Sequence, residues 1–489
     1  MLDLEKYFQP YRENIIGIDA YYESVYGKKK IYYFDWLASG RLYRPIEEKL
    51  LHQFGPFVAN THTETSETGS RMTLSYHHAH RLIKKHVNAG PNDVIITAGS
   101  GMTTVVNKLQ RILSLKSGKK RSKEKSQEDN DRPVVFITHM EHHSNHTSWF
   151  ETDTDVVMLS PTDDLLIDME ELKRQLFIYR DRKFKIGAFT ACSNVTGIIT
   201  PYYEMARIMH ENGGICFVDF AASAPYVDID MHPSDPMMKL DAIYFSPHKF
   251  LGGPGSSGVL VFDSSLYNLD APDNPGGGTV DWTNRWGEYK YVDDIETRED
   301  GGTPGFLQAI KIALAIELKE KMGTGNMLKR EEELVQLAFY KLRKIKGIRI
   351  LADNVEHRLG VISFYHERIH FNMLVKLLSD RYGIQVRGGC ACAGTYGHFL
   401  LEVSHDRSKE ITDKINHGDL SGKPGWVRLS LHPTMKNEEI EFFADALEEI
   451  IANFEEWKKA YIYVPKKNEF IHKDQLQPNL QWIADWFSL

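Results

Sequence analysis

Between about residue 90 and residue 262 the chain repeats one pattern, a short apolar run followed by a longer helical stretch. Seven runs carry it: DVIIT, PVVFITH, DVVMLSP, KIGAFTA, GICFVDF, LDAIYFSP and SGVLVFD. Short strands so apolar are buried on both faces, and connections of this length cross over the sheet rather than turn tightly. The pattern predicts an α/β fold with a mostly parallel seven-stranded sheet flanked by helices. One connection, SGKKRSKEKSQEDNDRP from Ser117 to Pro133, is almost wholly polar. Its acids are interleaved with its bases, so a solvated surface loop is expected rather than a basic binding patch.

Residues 306–322, FLQAIKIALAIELKEKM, predict a long helix leaving the core and ending at Gly323. A second α/β pattern follows. GVISFYHE, IQVRGG and WVRLSLHP read as strands, and HFNMLVKLLSDRYG and NEEIEFFADALEEIIANF as helices. The polar segment from Leu401 to Pro424 is expected to be a loop. The division that results is an N-terminal arm (1–30), a large domain (31–322), a smaller C-terminal domain (323–460) and a tail (461–489) rich in Trp, Phe and Pro.

The 489 residues carry a net charge of −8, which gives no reason to expect nucleic acid or an anionic membrane as partner. No run approaches the roughly 18 apolar residues of a membrane span. The start, MLDLEKYFQPYREN, lacks the apolar core of a signal peptide. Four cysteines are too few for a disulfide scaffold, so a reducing cytoplasm is expected.

Four stretches carry chemistry. In DAIYFSPHKFLGGPGSSGVLVF a strand ends in Ser246, His248 and Lys249, before a glycine-rich turn. A desolvated lysine there can lose its proton and attack a carbonyl, and the serine and histidine offer donors to a phosphate; the other reading is a lysine in an exposed turn. GGICFVDFAASAP ends a strand in Asp219, one β-α-β step before Lys249. A carboxylate at that place needs a positive partner such as a protonated pyridine nitrogen, or else caps a helix. DVIITAGSGMTTVVNKL is strand, small-residue turn and helix, with free N–H groups near Ser100 and Gly101 suited to a phosphate. THMEHHSNHTSW holds His139, His142, His143 and His146 in the loop after a strand. An imidazole there could stack on an aromatic ring, and the spacing matches no standard zinc motif.

Taken together, in this order, the motifs resemble the fold-type I pyridoxal phosphate (PLP) enzymes of the class V aminotransferase group, and within it the cysteine desulfurase and selenocysteine lyase branch. The resemblance spans roughly residues 30 to 455. It implies that Lys249 forms the internal aldimine, that Asp219 pairs with the pyridine nitrogen and that His142 stacks on the ring. It implies further that Ser100, Gly101, Ser246 and His248 hold the phosphate, and that Asn194 of SNVTG lies beside cofactor and substrate. GGTPG (301–305) is similar to the segment lent to a neighbouring subunit's phosphate site, which implies a homodimer with Thr303 crossing over. RGGCACAG is similar to the run that bears a catalytic cysteine five positions after an arginine, here Cys392 after Arg387. Cys390 stands where many relatives have histidine, and a cysteine pair after an arginine is also similar to the desulfurase-like domain of molybdenum cofactor sulfurases. Arg387 and Arg428 resemble the arginines around the substrate carboxylate. Ala222 departs from the pattern, standing where the family's glutamine meets the ring oxygen; Ser223 beside it is the candidate substitute.

The activity so implied removes sulfur or selenium from cysteine or selenocysteine, leaving alanine and a persulfide on Cys392 that a sulfur-acceptor protein could take. His142 and Lys249 are the candidates for moving protons. Two alternatives stay open: a thiol-independent aminotransferase, epimerase or β-lyase of the same group, and an idle PLP-fold binding module. The two cysteines could also pack as small hydrophobes. No metal site is expected.

Overall fold

The computed structural model describes residues 2–116, 131–475 and 481–488. Most of the polar stretch expected to be a surface loop lies outside these residues.

The seven apolar runs become seven strands of one sheet: β1 (Asp93–Ala98), β2 (Val134–Ile137), β3 (Asp155–Met158), β4 (Lys185–Thr190), β5 (Ile215–Asp219), β6 (Ala242–Phe245) and β7 (Gly258–Asp263). Their order is β1-β7-β6-β5-β4-β2-β3. Neighbours from β6 to β3 run parallel. β7 runs antiparallel to both partners, with Val259 opposite Thr97 on one side and Phe245 on the other. Alternate residues supply two cores. Val134, Phe136, Val218, Ile243, Val259 and Val261 enter one, while Val135, Ile137, Phe217, Tyr244, Leu260 and Phe262 enter the other. A strand buried on both sides has no polar face to show, which is why the runs are continuously apolar. Each such side chain contributes about 1.5–3 kcal/mol of transfer free energy.

The helix α1 (Met102–Ile112) follows β1, and α2 (Phe306–Met322) leads through Gly323 into α3 (Thr324–Leu342). A second sheet joins β8 (Ile348–Ile350), β9 (Val361–His366), β10 (Arg387–Gly389) and β11 (Trp426–Ser430) in the order β8-β9-β11-β10, all antiparallel. IQVRGG supplies two strands rather than one. Ile384–Gln385 pairs in parallel with Tyr32–Tyr33, and only Arg387–Gly389 joins the second sheet.

The segment from Leu401 to Pro424 is not the loop that its polarity suggested. Beyond α4 (Gly394–Leu400) it forms α5 (His405–Asn416), which buries only Ile411. Its helical state rests on local devices: the Ser404 hydroxyl accepts the Arg407 N–H at 3.2 Å, and Arg407 meets Glu410 at 2.8 Å. The acidic helix α6 (Asn437–Trp457) packs on α3, and the chain continues into a hairpin, Tyr461–Val464 with Glu469–His472. Among the described residues no helix is long and apolar enough to cross a membrane.

Candidate active site

In open α/β sheets ligands sit beyond the carboxyl ends of the parallel strands. There the chain has a cavity of about 290 Å³ lined by residues from both sheets. It gathers Ser100, Gly101, His142, Asn194, Asp219, Ser246, His248, Lys249, Arg387, Cys392 and Arg428. Thr303 lies elsewhere, on the surface, where its hydroxyl donates to Asn60 Oδ1 at 3.2 Å.

One end of the cavity is built for an anion. Ser246, at the end of β6, accepts the Met102 N–H of α1 at 2.9 Å, and the His248 Nδ1–H donates to the Ser100 carbonyl at 3.0 Å. The approach is close: a Cβ on Gly101 would come within 3.2 Å of both Ser246 Oγ and His248 Cε1. On Gly258, the first residue of β7, it would lie 2.3 Å from the Gly101 carbonyl oxygen, so glycine is required there.

Asp219, buried at the end of β5, accepts the Ala221 N–H at 2.8 Å. Burial raises its carboxyl to about 6, against the pull of that N–H and of Lys249. Lys249 is half-buried by area because it lines the cavity, yet protein surrounds its amine. Desolvation brings that amine down to about 8; Asp219 opposes the fall, and Arg428 and Arg387 add to it.

His142 is fixed from behind. The buried Glu141 carboxylate accepts the Thr190 N–H at 2.9 Å and the Asn145 amide at 2.7 Å, which pins the turn that follows β2. The His142 Nδ1 accepts the Ser144 N–H at 3.1 Å, so its proton sits on Nε2. Burial, helped by Lys249, His143 and Arg428, lowers this imidazole to about 3 and keeps it neutral.

The arginines face one another. Arg387 and Arg428 are directly opposed across β10 and β11, an arrangement that like charges make unfavourable. Asp35, absent from the sequence reading, resolves it. One carboxylate oxygen takes the Arg387 Nε–H at 3.1 Å and the other the Arg428 Nη2–H at 3.0 Å. The signal was the aspartate closing the apolar run YYFD. Arg428 also donates to the Asn194 carbonyl at 3.2 Å. Its Nε and the Asn194 Oδ1 are buried without a protein partner, a donor and an acceptor left for a ligand.

Cys392 is exposed and Cys390 half-buried, packed against the small core cluster that holds Met140, Tyr396 and Trp426. Ala391 and Cys392 lie consecutively in the left-handed region, at φ 51° and 57°. Such residues cost on the order of 1–3 kcal/mol each unless their surroundings hold them. The Asn194 amide does so by donating to the Ala391 carbonyl at 2.6 Å. Ala222 lines the cavity; Ser223 is buried, its hydroxyl unpartnered, and does not. The histidine run splits: His142 lines the cavity, while His139 packs edge-on against Tyr396 and Phe399 of α4. Among the described residues no three His, Cys, Asp or Glu side chains form a metal cluster.

An anion seat, a neutral imidazole, a buried carboxylate and a desolvated lysine around one cavity fit an aromatic aldehyde phosphate such as PLP. Known proteins agree. A "Probable cysteine desulfurase" of Halalkalibacterium halodurans is 29% identical over 369 residues, 74% of this chain and 84% of that protein. One of Staphylococcus aureus is 29% identical over 370 residues, 75% and 84%. Two solved structures share the fold. The cysteine desulfurase of Thermococcus onnurineus superposes with a TM-score of 0.69 at 21% identity, over 86% of this chain and 95% of that one. The cysteine desulfurase CsdA of Escherichia coli gives 0.69 at 20% identity, over 92% and 99%. The family model Aminotransferase class-V matches residues 32–443, and the chain belongs to that family of PLP-dependent enzymes.

Proposed function

We propose that the chain is a cysteine desulfurase that takes sulfur from cysteine, or selenium from selenocysteine, and releases alanine. PLP, held at its phosphate by Ser100, Gly101, Ser246 and His248 and at its ring nitrogen by Asp219, would supply an electron sink. The chain's own groups do the rest. The unpartnered Arg428 Nε–H binds the amino acid's carboxylate. Lys249, whose amine is brought to about 8, is the base that moves protons at the substrate's carbons. Neutral His142, which lines the cavity, would cover the cofactor ring and exclude water. The Cys392 thiolate attacks the substrate sulfur: the carbon–sulfur bond breaks, a sulfur–sulfur bond forms, and a proton delivered to carbon completes alanine. A persulfide remains on Cys392, whose exposure lets an acceptor protein reach it.

The observation that carries this reading is that Cys392 and Lys249 line one cavity, and that of the two cysteines lining it Cys192 is buried in the core while Cys392 is exposed. Cys392→Ala should lower sulfide release from cysteine at least about 100-fold, with the visible absorbance of the bound cofactor intact. Sulfide release that survives would instead favour a thiol-independent activity. On the same reading residues 31–322 form the cofactor domain and 323–460 the smaller one. Thr303, on the surface, then serves the phosphate site of a second copy in a homodimer.

A further inference from the structure

We infer that His143 is a positioning residue that latches the Cys392 turn at the rim of the cavity. The inference rests on the desulfurase reading and adds to it a residue with no part in holding cofactor or substrate. Two hydrogen bonds from this one residue bracket the thiol. The His143 backbone N–H donates to the Cys392 carbonyl at 2.8 Å, and the Gly394 N–H donates to His143 Nε2 at 3.0 Å.

The turn needs such a latch. Ala391 and Cys392 hold left-handed backbone without glycine, a state that lasts only where neighbours impose it. Asn194 grips the turn before the thiol, at the Ala391 carbonyl, and His143 grips it at the thiol residue and beyond. Because Nε2 accepts an N–H, the ring proton sits on Nδ1. Burial, with Lys423 nearby, holds the imidazole below its ordinary range, so the acceptor lone pair stays free. His143 also adjoins His142, which lines the cavity. A single turn therefore carries one imidazole to the cofactor space and the next to the thiol. Sulfur abstraction needs Cys392 held inward, and handing sulfur on needs the turn let go; the side-chain bond to Gly394 is the part that can open without unfolding the strand behind it.

The test uses the holoenzyme in three variants and reads hydrogen exchange of the Cys392–Thr395 segment beside steady-state kinetics. His143→Ala and the bulkier His143→Phe both delete the acceptor, while His143→Gln restores one at a similar reach. In the first two, exchange should quicken and kcat for sulfide release fall, each about five- to tenfold, with KM and the cofactor spectrum unchanged. His143→Gln should recover most of both. Unaltered exchange in His143→Ala and His143→Phe, or a glutamine variant no better than the phenylalanine one, would overturn the latch. Exchange is read without turnover, so it judges the latch even if Cys392→Ala shows that the thiol takes no part in the chemistry.

Discussion

Lys249 and Asp219 are opposite charges that burial pushes toward their neutral forms, the amine down to about 8 and the carboxyl up to about 6. Near neutral pH both still carry charge, and the amine becomes nucleophilic as pH rises through about 8. The rate at which apoprotein captures the cofactor aldehyde should therefore climb across that pH and then level, followed as growth of visible absorbance. Asp219 is the foremost group holding the lysine's pKa up, so Asp219→Asn should move the midpoint to lower pH; an upward shift would contradict this electrostatic account. Asp35 makes a different prediction. It is the carboxylate between two opposed guanidiniums, one of them buried. Asp35→Ala should cost about 3 kcal/mol in urea unfolding, and Arg387→Ala less, because Arg387 is half-exposed while Arg428 is not. Residues with a local signature were legible beforehand: Lys249 at a strand's end, Asp219 one crossover earlier, a cysteine pair among glycines. Asp35 was not. Its meaning depends on two arginines some 350 to 390 positions away, at separations of 352 and 393 residues, and no spacing rule reaches that far.

At the scale of elements, burial decides what a sequence reveals. Six of the seven strands showed themselves because each lies between two cores and carries apolar side chains to both, while the edge strand β3 is only partly buried. Helix α5 stayed hidden because it buries a single residue and so has almost no apolar stripe to display. What remained readable there was the cap, Ser404 three residues before Arg407. A helix held by local devices should depend on them visibly. Ser404→Ala should cost about 1 kcal/mol, and the loss should appear as faster hydrogen exchange over residues 405–416 with little change in global unfolding. A fall in the global transition instead would mean that α5 bears on the core. The splitting of IQVRGG has the same logic, since its two halves pair with strands from opposite ends of the chain, and apolar alternation says nothing about partners.

Over the whole molecule, the site is complete only when the chain's two ends are brought together. Tyr32–Tyr33 pairs with Ile384–Gln385, the Asp35 backbone bridges Ser430, and Phe34 packs against Phe443 of α6. Between these ties Trp36 lies almost flat on His432, ring centroids 4.2 Å apart and planes 19° from parallel, both buried. The N-terminal segment thus delivers Asp35 to the arginines as a strand fixed from both sides, and the carboxylate seat proposed at those arginines depends on packing remote from Lys249. Trp36→Ala opens a large cavity beneath that segment and should cost about 3–5 kcal/mol, read as a lower Tm. Because Asp35 is the neighbour in sequence, the same variant should raise KM for the amino acid while the cofactor, on the proposed reading seated by residues of the seven-stranded sheet, keeps its visible absorbance. A variant that lost cofactor and substrate binding together would show that the two ends support the whole cavity and not the carboxylate seat alone.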